Sequence, residues 1–292
     1  MRTLTRDEYF PNPNSAISIV PESPQAPLPE HAHEFDELVI VRSGSCIHFH
    51  DGKPMPISRG SVMYIRAKQA HFLDQLDDVY LTNVLILPHC FKHIRHETVV
   101  NLLERSSGIE GNSYMINGVT LKRVESLLNR LSDEAGRRVE YSEQMIELLI
   151  SQLMIELWRG QPEENIEAHD DRDARLTMLL RHLNNHFEDE ADWDVLASRF
   201  KISQRTLSRR ILDVTGLSPN KYLMRIRICA AMRLLKETTK SVTDIAFSCG
   251  FNDSNYFTYR FHQETGMTPM KYRGCVELAI PLSLKWALDT NE

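Results

Sequence analysis

The second half of this chain contains one helical pattern twice, and that duplication limits the fold more than any other feature. Ala197 aligns with Ala246 at an offset of 49 residues. Thr215-Gly216-Leu217-Ser218-Pro219 aligns with Thr265-Gly266-Met267-Thr268-Pro269 at an offset of 50, and Lys221-Tyr222 returns as Lys271-Tyr272. The difference puts one extra residue into the second turn, near Asn252. Each copy reads as a short helix, a tight turn and a longer helix. In the first, Asp192 caps a helix over 193–200, Ser203 caps a helix over 204–215, and Gly216 ends it. In the second, Ser241 with Asp244 resembles a capping box, and the helix ends near Gly250. Asp253 or Asn252 caps the next helix, which Gly266 ends. The spacing predicts a long helix over 219–237 between the copies, with Tyr222, Leu223, Ile226, Ala230, Leu234 and Leu235 on one side. A further helix over about 173–187 leads in, carrying Leu176, Leu179, Leu180, Leu183 and Phe187.

Two helix-turn-helix units at a fixed separation suit double-stranded DNA, whose successive major grooves lie ~34 Å apart. On the first recognition helix Gln204, Arg205, Ser208 and Arg209 are the polar positions, and Leu207 and Ile211 mark the core side. Arg205 and Arg209, four apart, share a face, and arginine is the usual bidentate reader of guanine. On the second, Asp253, Ser254, Asn255, Thr258 and Tyr259 face outward over Phe257 and Phe261. Arg210, Lys221, Arg225 and Arg260 are candidates for phosphate, which positions rather than specifies. The plain alternative is that these arginines form a solvated helix face. Charge favours the DNA reading once it is divided. The whole chain carries −6, but residues 1–171 hold −10, residues 172–274 hold +6 and the tail holds −2. The basic segment is the duplicated one.

The first half has a different period. Residues 11–29 hold six prolines and read as an extended lead-in. Short strands follow: Leu38–Val41 before a turn at Arg42-Ser43-Gly44, Cys46–His50 before Asp51-Gly52, Ser61–Ile65, and Val79–Leu87. Such closely spaced strands suggest a small barrel or sandwich. Val119, Val124, Leu127, Leu128 and Leu131, then Met145, Leu148, Leu149, Leu153 and Leu157, recur at three and four. They predict two amphipathic helices that pack on the strands or against a second copy of the chain. Residues 160–173, with Gly160, Pro162 and many acidic side chains, read as a solvated linker. No apolar run is long enough for a membrane span. The first eight residues show no apolar signal-peptide core, and Cys46, Cys90, Cys229, Cys249 and Cys275 form no Cys-x-x-Cys pair. A cytoplasmic protein without disulfides or zinc fingers is expected.

Ser241-Val242-Thr243-Asp244-Ile245-Ala246, Cys249-Gly250-Phe251, Asp253-Ser254-Asn255-Tyr256-Phe257, Phe261 and Thr265-Gly266-Met267-Thr268-Pro269 resemble the signature of the AraC/XylS family of bacterial transcription regulators. The resemblance to the family's DNA-binding domain covers about 173–273 and implies recognition helices starting near Gln204 and Asp253. Residues 30–41, Thr82-Asn83-Val84-Leu85 and residues 191–212 are similar to the activators of L-rhamnose catabolism. That likeness implies an activator triggered by a sugar, L-rhamnose, with promoter DNA, RNA polymerase and a second copy of the chain as partners. The implied fold is multidomain. An N-terminal all-β cupin-like barrel (1–118) is followed by dimerisation helices (119–160), a linker (161–172), an all-α domain with two helix-turn-helix motifs (173–274), and a tail (275–292). The apolar stretch Ile280–Trp286 in that tail departs from the family pattern.

His31-x-His33-x-x-x-Glu37 with Gly44, and His71 eleven residues after Gly60, fit the two cupin motifs. Arg66 and Lys68 stand where the second motif usually has Pro and Gly, and Gln75 where Asn is common. The implied effector pocket uses His31, His33, Glu37, Tyr64, Arg66 and His71. No cofactor is needed for this, although His31, His33, Glu37 and His71 could hold a divalent metal. His48 and His50 read as strand residues on one face, and His89, His93 and His96 are given no role. No nucleophile or general-base constellation appears, so the chain reads as a regulator rather than an enzyme. The alternatives are a metal-dependent cupin enzyme fused to a DNA-binding domain and a ligand-independent repressor.

Overall fold

The structure is a computed structural model that describes residues 2–12, 15–24, 28–106, 114–137, 139–161 and 172–275. Nearly all of the expected linker (161–172) and tail (275–292) lies outside the described residues. The N-terminal part runs β1 (Arg2–Leu4), α1 (Arg6–Tyr9), β2 (Ile17–Pro24), β3 (His31–His33), β4 (Asp36–His50), β5 (Lys53–Ser58), β6 (Ser61–Ile65), β7 (His71–Ile86), α2 (His96–Ser106), β8 (Tyr114–Met115), α3 (Gly118–Gly136) and α4 (Ser142–Arg159). The C-terminal part is helical: α5 (Arg172–Asn185), α6 (Trp193–Arg199), α7 (Gln204–Thr215), α8 (Pro219–Glu237), α9 (Val242–Ser248), α10 (Ser254–Thr265) and α11 (Pro269–Gly274).

The strands form one eight-stranded sheet in the order β1-β3-β7-β4-β6-β8, with β2 also on β7 and β5 also on β4. This corrects the expected cupin-like barrel. A barrel closes when its two edge strands pair. Here the strand order ends in the three-residue β1 and the two-residue β8, β2 and β5 are further outer strands, and none of these four pairs with another among the described residues. The sheet is open. Two strand assignments change with it. The proline-rich lead-in contributes β2, antiparallel to β7, because Ile17–Val20 can pair while the irregularity falls between Val20 and Ser23. Arg42-Ser43-Gly44 is no hairpin. Residues 36–50 form one long strand, with register shifts against β7 between Val41 and Ser43, Ser43 and Ser45, and Ser45 and Ile47.

Those bulges bend β4 and switch which parity points inward. Val39 and Val41 before them, and Cys46 after them, meet in a single inner core with Ile57, Met63, Ile65, Val79 and Leu81. The outer face is covered twice. Leu38, Ile40, Val62, Val84 and Ile86 pack under α2, α3 and α4 through Leu103, Leu128, Leu131 and Leu153. Further along, Ile47, Phe49 and Phe72 join the core of the helical part, built on Ala231, Met232 and Leu235 of α8 with Phe257 and Phe261 of α10. Gln75 Nε2 donates to the Glu264 carbonyl at 2.5 Å and Arg225 Nη1 to Ser45 Oγ at 3.3 Å across the same seam.

The duplication is real at the level of single hydrogen bonds. Thr215 Oγ1 donates to the Ile211 carbonyl and accepts from Leu217 N, and Thr265 Oγ1 does the same with Phe261 and Met267. Ser203, Ser241 and Asp253 cap their helices as the spacing implied, and Asp192 caps α6. The turn after each first helix passes through the left-handed region, at Lys201 (φ 52°) in one copy and Gly250 (φ 77°) in the other. A Cβ at Gly250 would lie 2.5 Å from the Glu188 carbonyl oxygen. Gly250→Ala is therefore expected to destabilise the protein by at least about 1–2 kcal/mol, the ordinary cost of the left-handed region, in urea denaturation. Lys201→Gly relieves the same strain and should be neutral or stabilising in that measurement.

Candidate nucleic-acid interface and effector site

In α7 Leu207, Ile211 and Thr215 are buried, which leaves Gln204, Arg205, Ser208 and Arg209 exposed along the opposite side. In α10 Phe257, Phe261 and Thr265 are buried at the equivalent positions, and Asn255 and Tyr259 are exposed where the first copy has Arg205 and Arg209. The two faces match in position and differ in chemistry. The remaining candidates are partly committed elsewhere. Asp253 accepts from Tyr256 N at 2.6 Å as the cap of α10, and Thr258 Oγ1 donates to the Ser254 carbonyl. Half-buried Arg260 pairs with Glu264 at 2.9 Å. Arg225 lies in the seam with the sheet, bonded to Ser45. Arg210 lines a cavity of about 190 Å³ with Arg59, Asp213 and Met115, and Lys221 is exposed. Exposed Leu212 and Tyr256 flank the polar faces.

The effector candidates separate by strand parity. Glu37 pairs with Ile65 and Leu38 with Tyr64, so Tyr64 sits on the outer face, away from Glu37. Its hydroxyl donates to Asp36 Oδ2 at 2.6 Å, and exposed Arg66 pairs with Glu104 of α2 at 2.9 Å. His31, His33, Glu37 and His71, by contrast, come together and are all buried. β3 carries His31 and His33 beside β7, with His31 opposite His71. The arm strand β1 covers this edge, pairing Arg2 with His31 and Leu4 with His33. The structure adds two residues that sequence reading treated as mere strand positions. His50 pairs opposite His71, and His48 Nε2 lies 3.3 Å from His71 Nδ1. Their side of the strand was hidden by the bulges in β4.

Five imidazoles and one carboxylate thus share a small buried region. Burial holds His48 down to about 3, helped by the neighbouring His50 and His31. Burial also holds His71 well below the usual histidine value, and lowers His31 despite the Pro29 carbonyl and Glu37. His33 goes the other way. Burial opposes its charged form, but the Glu37 carboxylate and the Phe35 carbonyl outweigh that and raise it. His33 Nε2 is 3.5 Å and His71 Nε2 3.3 Å from Glu37 Oε2, and these three donors lie within 4.8 Å of one another. The set has the composition of a metal-binding triad. Among the described residues no helix is long and apolar enough to cross a membrane.

Comparison with known proteins agrees with both halves. Residues 21–184 match the AraC-like ligand binding domain and residues 196–274 match a helix-turn-helix domain. The chain is 36% identical over 274 residues to the HTH-type transcriptional activator RhaS of Shigella boydii serotype 18, covering 94% of this chain and 97% of that protein. It is 36% identical over the same share to RhaS of Escherichia coli strain K12 / DH10B. The chain belongs to the AraC family of transcription regulators. Among solved structures, the DNA-binding domain of AdpA in complex with a target DNA is similar over 34% of this chain and 89% of its own, at 31% identity and a TM-score of 0.33. Membership of a family of DNA-binding regulators sets aside the metal-dependent enzyme alternative. The family's AraC-like ligand binding domain falls on the open sheet and the helices over it.

The histidine region makes stability depend on pH. Burial lowers His31, His48 and His71 in the fold, so the unfolded chain, whose histidines take up protons near pH 6.5, binds them at a higher pH than the fold does. Acidification below that value therefore favours unfolding, and the raised His33 offsets only part of the loss. In urea titrations from pH 8 to pH 5 with a chelator present, stability is expected to fall. His48→Phe should flatten the slope.

Proposed function

We propose that this protein is a transcription activator that binds promoter DNA through α7 and α10 and is switched by L-rhamnose bound to the sheet half. The observation that carries the proposal is the 36% identity spanning 94% of the chain, which takes in both halves of proteins named as transcriptional activators. Two equivalent recognition helices on one rigid module support contact with successive major grooves. Arg205 and Arg209 are the base readers of the first unit, and Asn255 with Tyr259 of the second. Gln204, Ser208, Ser254 and Thr258 add polar contacts, and Lys221 contacts phosphate. Arg210, Arg225 and Arg260 serve the packing of the module more than DNA. The units divide near residues 118, 160 and 172.

The sugar is held on the inner face of the sheet, where buried histidines beside β3 supply donors and acceptors for hydroxyl groups. The arm strand β1 lies over that edge, so entry of the effector displaces it. The exposed stripe Tyr141, Met145 and Leu148 on and before α4 supports a homodimer, since these apolar side chains recur at helical spacing and face solvent in the monomer. Activation implies contact with RNA polymerase in the cytoplasm.

Gel shifts with a promoter fragment test this reading. L-rhamnose should tighten binding about 10-fold, within the usual range of allosteric coupling. No dependence on the sugar in binding or transcription would overturn it. Arg205→Ala and Arg209→Ala should each weaken DNA binding about 10- to 100-fold and relax specificity at one position, whereas Arg260→Ala changes it less than about 3-fold.

A further inference from the structure

Three atoms on the inner face of the sheet are arranged as ligands. His33 Nε2, Glu37 Oε2 and His71 Nε2 are buried, lie within 4.8 Å of one another and have no hydrogen-bond partner among the described residues. The tautomer of His33 follows from its other nitrogen. Nδ1 is 2.5 Å from the Phe35 carbonyl oxygen, which can only accept, so Nδ1 carries the proton. In the neutral ring Nε2 therefore turns a lone pair toward the Glu37 oxygen 3.5 Å away. A lone pair facing a buried carboxylate is repulsive, and a positive charge must lie between them.

That charge is either a proton or a metal cation, and the distances distinguish them. A charge-assisted N–H···O bond closes to about 2.7–2.9 Å. A nitrogen and an oxygen that each sit about 2.1 Å from a tetrahedral metal are ~3.4 Å apart. The observed separations are 3.5 Å from His33 and 3.3 Å from His71. Both rings are also held at the far nitrogen, His33 by the Phe35 carbonyl and His71 by His48 Nε2 at 3.3 Å. Such outer support is what fixes ligand rings in metal sites.

We propose that His33, Glu37 and His71 bind one divalent transition-metal ion of the zinc type. Three protein donors leave a fourth position for water or a hydroxyl group. The ion neutralises Glu37 and ties β3, on which the arm strand β1 pairs, to β4 and β7. The proposal does not rest on the identity of the effector, because the metal alone is the probe.

The test uses the purified full chain, stripped with a chelator and titrated with Co²⁺ and then Zn²⁺. One ion per chain is expected, with the intense visible absorption of tetrahedral Co²⁺, displacement by Zn²⁺ and a raised Tm. X-ray absorption of the Co²⁺-loaded wild type should show two imidazoles, an oxygen donor and no sulfur. Glu37→Gln and His71→Asn should each abolish the band and weaken binding by more than about 100-fold, His48→Phe should weaken it about 10-fold, and His186→Ala should leave both unchanged. Absence of binding, sulfur or fewer than two imidazoles in the wild-type spectrum, or equal binding by folded Glu37→Gln, would overturn the proposal. The spectrum of the wild type decides the matter even where a ligand variant fails to fold.

Discussion

The stacked rings of Phe49 and Phe72 hold the two halves of the molecule together. Their centroids are 4.4 Å apart with planes 4° from parallel. They and Ile47 leave the outer face of the sheet and enter the core of the helical part against α8. Burying two aromatic rings there contributes on the order of several kcal/mol, more than the exposed Lys53–Glu237 pair 3.8 Å apart on the same boundary. The contact also sets a distance. Side chains alternate along a strand, so His48, His50 and His71 are immediate neighbours of Phe49 and Phe72 on the opposite side. One sheet thickness separates the buried histidines from the long helix that spaces the two DNA-binding units. A change in how β4 and β7 pack around a ligand would reach α8 through these rings, a coupling that belongs with the proposed switch.

The duplicated module gains from the same economy. Equivalent threonines, Thr215 and Thr265, fasten the end of each recognition helix to the start of the next. Equivalent prolines, Pro219 and Pro269, open the helices that follow. The core positions agree in place and differ in size, with Leu207 and Ile211 in one copy and Phe257 and Phe261 in the other. The larger second core also takes in the sheet. The second unit bonds the sheet half through Gln75 and Glu264, while the first meets it where Arg210 and Asp213 line a cavity with Arg59 and Met115.

The helical half was legible in the sequence because its signals are local. Asp192, Ser203, Ser241 and Asp253 cap within three residues of themselves, and Gly216 and Gly266 end their helices where expected. The helix over 219–237 was read to the residue. The sheet half was not, because its order depends on pairing between distant residues. Gly44 resembles a hairpin turn and is instead a bulge pressed against the backbone of Asp77 and Asp78. The prolines near Ile17 concealed β2, and α2 went unnoticed. Parity errors followed. Tyr64 and Arg66 fell on the face opposite the histidines, and His48 and His50 joined the cluster from which they had been left out. Likewise the cupin-type spacing of His31, His33, Glu37 and His71 brought those side chains together correctly while implying a closed barrel that the edge strands do not form.

The most direct measurement of communication between the halves is the ratio of promoter DNA affinities with and without L-rhamnose, taken for the wild type and for Phe72→Leu. Phe72→Leu keeps an apolar side chain at the seam but removes the stack, so the protein stays folded and binds DNA in the absence of sugar. A ratio that falls toward one in Phe72→Leu, with sugar-free affinity preserved, is the expected result. A ratio equal to that of the wild type would contradict transmission through the Phe49–Phe72 contact.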